Sequence, residues 1–279
     1  MRTAALLLLV VACAPGEPAA TPAPSAATSS AAPTATTTTR PPVTPTTPTV
    51  RPTVSPTVSP TASACAFPGA APAAVVSRGP ATRRVVALTF DAGSDAGSTA
   101  TILDTLAAAG IPAGFGVTGD FARRNPALVA RMRREGHQIV NHSDTHRSFT
   151  GVSSDRVVRT REARCADLRR AESAIAAAAP GPEVRRWFRP PYGDRDASVD
   201  RDVAAAGYRY VVMWTVDSRG WRGVPAAEVV RTTLAAAAPG AILLFHVGAA
   251  STDAAALPQV LAGLRARSYG FVTLTGLMA

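Results

Sequence analysis

Two histidines four residues apart, His142 and His146 in HSDTH, form the pair in this chain best spaced for metal chemistry. On a tight loop or helical turn that spacing aims both imidazoles at one point. A Zn2+ held there with an open position would lower the pKa of bound water to about 7 and polarise a carbonyl. Taken alone, His-x-x-x-His is more often structural. Here, though, three of the chain's four histidines fall at the ends of short apolar runs, and so do other ionisable residues. VVALTF runs into Asp91, HQIVN into His142, WF into Arg189, VVMWTV into Asp217 and AILLF into His246. Asp91 could then serve as base and His246 as acid, with Arg189 and Asp217 orienting and tuning them. Metal, base, acid and two tuning groups amount to metal-assisted hydrolysis of an acyl bond.

Residues so far apart converge only if the elements carrying them share one rim. Short apolar runs alternating with Ala/Leu/Arg-rich stretches of helical period predict an α/β fold with a largely parallel sheet. The pattern places strands at 85–90, 111–118, 137–141, 186–189, 208–216, 241–245 and 271–275. It places helices at 98–109, 126–135, 154–178, 196–206, 226–237 and 257–267. In parallel α/β folds the carboxyl ends of the strands form the rim on which sites are built.

The 279 residues divide unequally. Residues 14–63 contain 42 Ala, Pro, Ser or Thr out of 50, and no aromatic residue precedes Phe67. Such a stretch buries too little apolar surface to offset the entropy of ordering it, so 13–65 is predicted to be a disordered linker and 66–279 the folded domain. Met1-Arg2-Thr3, a short apolar core and small residues read as a secretory signal over 1–12. Val10-Val11-Ala12-Cys13 resembles a lipobox, which predicts a lipidated Cys13 and an extracytoplasmic protein anchored to the membrane; simple cleavage and secretion is the alternative. The apolar run at 4–12 is too short to span a bilayer, which excludes a polytopic membrane protein. With Cys13 lipidated, Cys65 and Cys165 remain as a candidate disulfide.

The chain has 29 Arg and no Lys. Residues 81–279 carry 25 Arg against 18 Asp plus Glu, a net of +7. Because the arginines are scattered and not interleaved with aromatics, a nucleic-acid partner is not expected; the readings left open are an anionic lipid or cell-wall polymer as partner and, equally, biased nucleotide usage that puts Arg in place of Lys.

At this point the motifs resemble those of the polysaccharide deacetylases of NodB-homology type, carbohydrate esterase family 4. TFDAGSD (89–95), HSDTH (142–146), RPPYG (189–193), DSRGW (217–221) and LFH (244–246) appear in that family's order over roughly 83–277. The resemblance implies a distorted (β/α) barrel of about seven parallel strands, a divalent metal (usually zinc), and removal of acetyl groups from amino sugars or other glycans. It implies that Asp91 is the base, that His142 and His146 are metal ligands, and that Arg189 holds the Asp91 carboxylate. It further implies that the Tyr192 amide binds the oxyanion, that Asp217 hydrogen-bonds the acid His246, and that Trp221 and Leu244 wall the acetyl pocket. One position departs from the pattern. Where the family carries a second, metal-binding aspartate, this chain has Ala92; Asp95 in the following loop is the proposed substitute ligand, the alternatives being two histidines with water or Asp91 itself bridging to the metal.

The favoured reading is a monomeric deacetylase acting on acetylated polysaccharide, with peptidoglycan favoured by the anchor and linker. A glycan-binding domain that has lost catalysis, suggested by Ala92, and an O-acetyl esterase are the alternatives. Blander roles are expected elsewhere: His137 for surface or packing, Met213 and Trp214 in the core, and the Arg pairs 123–124, 133–134 and 169–170 on solvated helix faces. Asp144 either supports an imidazole or faces solvent.

Overall fold

The computed structural model describes residues 65–279 apart from 68, 94 and 182–184; the signal, the lipobox and nearly all of the linker lie outside the described residues. Strands β1 (Ala74–Val76) and β2 (Val85–Ala92) come first, followed by helix α1 (Thr99–Ala109) and β3 (Gly114–Val117). Two helices, α2 (Gly119–Arg124) and α3 (Pro126–Arg134), lead to β4 (Gln138–Asn141). The long α4 (Arg161–Ala178) precedes β5 (Trp187–Phe188), α5 (Ala197–Ala205), β6 (Tyr210–Val212) and β7 (Val216–Asp217). The chain ends with α6 (Ala226–Ala236), β8 (Ile242–His246), α7 (Asp253–Ala266), β9 (Gly270–Phe271) and α8 (Leu274–Leu277).

Eight strands lie in the order β1-β6-β5-β4-β3-β2-β8-β7, every pairing parallel, and β9 joins β2 off this path. β6 and β7 are near neighbours in sequence yet lie toward opposite ends of that order. Residues 213–215 therefore bridge the two margins of the sheet. The Met213 amide donates to Val76 O at 2.8 Å, Thr215 N to Ile242 O at 2.8 Å, and Thr215 Oγ1 to Ser77 O at 2.7 Å. The sheet thus curls into a distorted barrel, closed by a crossing segment instead of a strand pair. The expected single strand over 208–216 is broken here for a physical reason: the carbonyls of Val212 and Met213 turn to the Arg189 guanidinium, 3.3 Å from each.

Alternation along β2 decides what enters the barrel. Val86, Leu88, Phe90 and Ala92 belong to the main apolar cluster, whose other members include Ile102, Leu103 and Leu106 of α1 and Val260 and Leu264 of α7. Phe90 stacks between Phe115 and Phe245 with ring centroids 5.3 and 5.4 Å apart. Thr89 and Asp91 take the opposite face. Ala92 is therefore packed in the outer apolar layer.

Three further expectations are corrected. The helix predicted from 154 begins at 161, because Asp194 holds the preceding loop by accepting from Ser148 Oγ, Ser153 Oγ and Ser153 N, and Thr160 caps the helix on Ala163 N. Beyond Phe271 the chain forms α8 and not a strand. Helix α7 begins four residues earlier than predicted, at Asp253, with Pro258 inside it. Cys65 and Cys165 are joined in a disulfide that ties the start of the described chain to α4.

Candidate active site

Asp91 in β2, Asp217 ending β7 and His246 ending β8 all lie at the carboxyl ends of parallel strands, and His142 and Arg189 directly follow β4 and β5. Register aligns Asp91 with His246 on one side and with Gly116 on the other. Convergence expected from strand ends is thus realised through the parallel ladder.

Arg189, 1% exposed, is the hub. Its Nη1 donates to Asp91 Oδ1 at 2.8 Å and its Nη2 to Thr89 Oγ1 at 3.1 Å, while Thr89 Oγ1 in turn donates to Leu243 O at 2.9 Å. The guanidinium also lies 5.9 Å from the centre of the Trp214 ring. Burial pushes the Asp91 carboxyl up. The charge of Arg189 and its hydrogen bond, with the His142 and His246 rings beside them, outweigh burial and hold it at about 2.

The second Asp91 oxygen, Oδ2, faces His142 Nε2 at 3.4 Å. Nδ1 of His142 lies 2.8 Å from the Arg189 carbonyl, which accepts its proton and leaves Nε2 as the lone-pair nitrogen. Burial holds this imidazole neutral despite the neighbouring carboxylate. Two acceptors facing each other across 3.4 Å need a proton or a cation between them. His146 stands against His142 with ring centroids 4.8 Å apart, and burial together with His142 lowers its pKa to about 3. Both rings are thus in the neutral, ligating form.

These features fit a divalent metal at His142 and His146. The fit is incomplete, since among the described residues no three His, Cys, Asp or Glu side chains are arranged to hold one. Asp95 lines the same cleft, and its Oδ1 accepts the Ala249 amide at 2.9 Å.

Other expected residues gather around this centre. A cleft of about 500 Å3 is lined by Asp91, Asp95, His142, His146, Tyr192, Trp221 and His246. An adjoining pocket of about 240 Å3 adds Trp214, Asp217 and Leu244. Tyr192 has a left-handed backbone (φ 60°), and its ring packs edge-on against His146 at 4.6 Å. A tyrosine in that conformation carries strain of the sort that collects at functional sites.

Asp217 departs from expectation. Its oxygens accept from Arg219 N at 2.9 Å and Trp221 Nε1 at 3.3 Å, so it braces the Trp221 wall. The carboxylate behind His246 is Asp253, which accepts the His246 amide at 2.8 Å. Trp214 lines the small pocket and is not wholly core. Asp144 is buried between Arg123 Nη2 and Arg170 Nε, 2.8 Å from each, so these two arginines hold the HSDTH loop and are not merely solvated. His137 does pack in the interior, accepting the Ala113 amide at 3.2 Å.

Sequence reasoning missed Thr89, Gly116 and Asp253. Glycine inside a strand pattern signals a close approach, and Ser-Thr-Asp before an apolar run signals a helix start. Those signals mark the last two. Nothing local marks Thr89.

Comparison with known proteins agrees with this geometry. The polysaccharide deacetylase family profile matches residues 78–211. A chitooligosaccharide deacetylase of Rhizobium leguminosarum bv. trifolii is 37% identical over 165 residues, which is 59% of this chain and 72% of that protein. A peptidoglycan-N-acetylglucosamine deacetylase of Bacillus cereus is 32% identical over 203 residues, 70% of this chain and 69% of that one. The fold is similar to the crystal structure of the Bc1960 peptidoglycan N-acetylglucosamine deacetylase, with a TM-score of 0.65 at 28% identity, covering 73% of this chain and 92% of that one. With its parallel curled sheet, its strand-end residues and these relatives in accord, the chain belongs to the polysaccharide deacetylase family.

Proposed function

We propose that this chain is an active, metal-dependent deacetylase that removes N-acetyl groups from the amino sugars of peptidoglycan. The observation carrying the reading is the Arg189-held Asp91 carboxylate set against two neutral imidazoles, with His246 in the same cleft. His142 and His146 would hold the metal, zinc by ligand type. When bound, the metal supplies a more acidic water and a polarised carbonyl.

Asp91 accepts the proton of the attacking water, its carboxylate kept ionised and aimed by Arg189. The Tyr192 amide donates to the oxyanion, where one such donor contributes roughly 3 kcal/mol. His246 returns a proton to the sugar nitrogen as the C–N bond breaks, releasing acetate and a free amine. Trp221 and Leu244 wall the space for the acetyl methyl. The Pro/Thr-rich linker and a lipid on Cys13 would hold the domain facing the cell wall.

Acetate release from N-acetylated peptidoglycan and N-acetylglucosamine oligomers tests the reading. Chelation is expected to abolish release and added zinc to restore it. Zinc binding without release from either substrate would shift the reading to O-acetyl esters. Neither binding nor release would make Ala92 the mark of a glycan-binding domain that has lost catalysis.

Asp95 is proposed as the further metal donor, giving up the Ala249 amide when metal enters. Asp95→Ala is expected to weaken zinc binding at least tenfold, while Asp91→Ala mainly lowers turnover. Equal zinc affinity in Asp95→Ala and the parent, by competition with a chromogenic chelator, would remove Asp95 from the site.

A further inference from the structure

Two buried polar atoms of neighbouring residues stand without partners behind the cleft. Among the described residues, neither Nδ1 of His246 nor Oδ1 of Asp253 has a hydrogen-bond partner, although both are buried. The imidazole Nδ1 lies 3.9 Å from Asp253 Oδ2. Buried polar groups are rarely left without partners, and such orphans mark places where a bond forms in another state. Nδ1 and the carboxylate are thus adjacent, and a turn of the His246 ring that closes this gap would bond them. Catalytic hydrogen bonds are often this long before substrate binds.

The surroundings of Asp253 are built for a carboxylate. Its side chain is fully buried, at the first residue of α7, where the helix dipole favours an anion. Oδ2 accepts the His246 amide at 2.8 Å and Ser218 Oγ at 3.0 Å. Gly220 leaves the space: a Cβ there would sit 2.1 Å from Asp253 Oδ1. Two residues of the DSRGW motif, Ser218 and Gly220, thus cradle a carboxylate that lies outside all five motifs. Asp217 is committed to Arg219 N and Trp221 Nε1.

We propose that Asp253, and not Asp217, is the residue that positions His246 as proton donor, by accepting its Nδ1–H and turning Nε2 toward the cleft. This rests on the deacetylase reading above. The proton that reaches the sugar nitrogen leaves from Nε2 as the C–N bond breaks, while the Nδ1 proton stays on the ring. Asp253 is a positioning residue and touches no substrate.

Asp253→Asn tests this with little change of shape, because the amide oxygen can still accept from His246 N and Ser218. On N-acetylglucosamine oligomers it is expected to lower kcat about 10- to 100-fold, with KM within about twofold. On 4-nitrophenyl acetate, whose phenolate leaves without a proton, the rate is expected to stay within about twofold of the parent. Equal loss on both substrates, or no loss on the oligomers, overturns the proposal. A second readout needs neither the variant nor activity: nitrogen-15 NMR of the parent should show a proton on His246 Nδ1. Its absence in a parent that deacetylates the oligomers overturns the pairing alone. A parent that hydrolyses neither substrate, yet carries that proton, overturns the deacetylase reading and leaves the pairing standing.

Discussion

Arg189→Met is expected to destabilise the protein by about 3–5 kcal/mol and to abolish measurable deacetylation. The methionine fills much of the same volume but leaves the Asp91 carboxylate buried without its cation, and removing one partner of a buried pair costs on that order. Four acceptors lose their donor together: Asp91 Oδ1, Thr89 Oγ1 and the carbonyls of Val212 and Met213. Those carbonyls lie where β6 passes into the segment that closes the barrel, so stability and activity should fall together. Arg189→Lys is expected to rescue little, since a point charge cannot serve four acceptors in a planar fork.

The pH dependence separates charge from packing. In the parent, Asp91 titrates at about 2, below its ordinary 3.8, so its contribution is present above 3.8 and lost as pH falls toward 2. Without Arg189 the folded-state pKa rises above 3.8, and the penalty appears as pH rises through it. Urea titrations should therefore show the widest gap between parent and variant near pH 7 and a narrowing below about pH 4. Adding Asp91→Asn to Arg189→Met should recover part of the lost stability at pH 7, since the double variant buries no unpaired charge. A gap independent of pH, with no recovery in the double variant, would put the whole effect in packing.

The sequence carried the site further than the fold. Each strand-end residue was visible because a polar side chain interrupts an apolar run, and a parallel sheet puts all such interruptions on one rim. The break between β6 and β7 leaves no mark in the sequence: VVMWTV has Thr215 as its one polar residue, and what divides the run is a guanidinium supplied from residue 189. Asp217 accepts from Arg219 N and Trp221 Nε1 where a bond to His246 is expected, for a related reason. Sequence order places it at the correct rim, but which acid a histidine meets depends on the turn after β8 and on the room left at Gly220. In the sequence Ala92 stands as a missing ligand. Strand alternation shows more than that, because the side chain of residue 92 belongs to the apolar layer behind the sheet. Supplying an acid at 92 therefore asks the end of β2 to twist as well, and a bare Ala92→Asp exchange would bury a carboxylate among Val117, Val247 and their neighbours.

Gly116→Ala is expected to lower kcat on N-acetylated oligomers about 100-fold while leaving the fold intact. Gly116 lies beside Asp91 in the sheet, and an added Cβ would sit 2.4 Å from Asp91 Oδ1 and 3.6 Å from His142 Cγ. Oδ1 is the atom Arg189 holds at 2.8 Å, so the methyl must displace the carboxylate that receives the water's proton. Aspartate has one χ1 torsion with which to retreat, and rotation about it carries the carboxylate away from Arg189. Alanine also lowers the entropy of the unfolded chain relative to glycine by roughly 0.5–1 kcal/mol, which offsets part of the strain. Activity should therefore fall far more than stability. A double-mutant cycle with Asp91→Ala checks the cause: once the carboxylate is gone, the added methyl has nothing to displace, and Gly116→Ala should cost no further activity. A full 100-fold loss persisting in the Asp91→Ala background would place the damage at His142 instead, and weaker zinc binding by Gly116→Ala would accompany it.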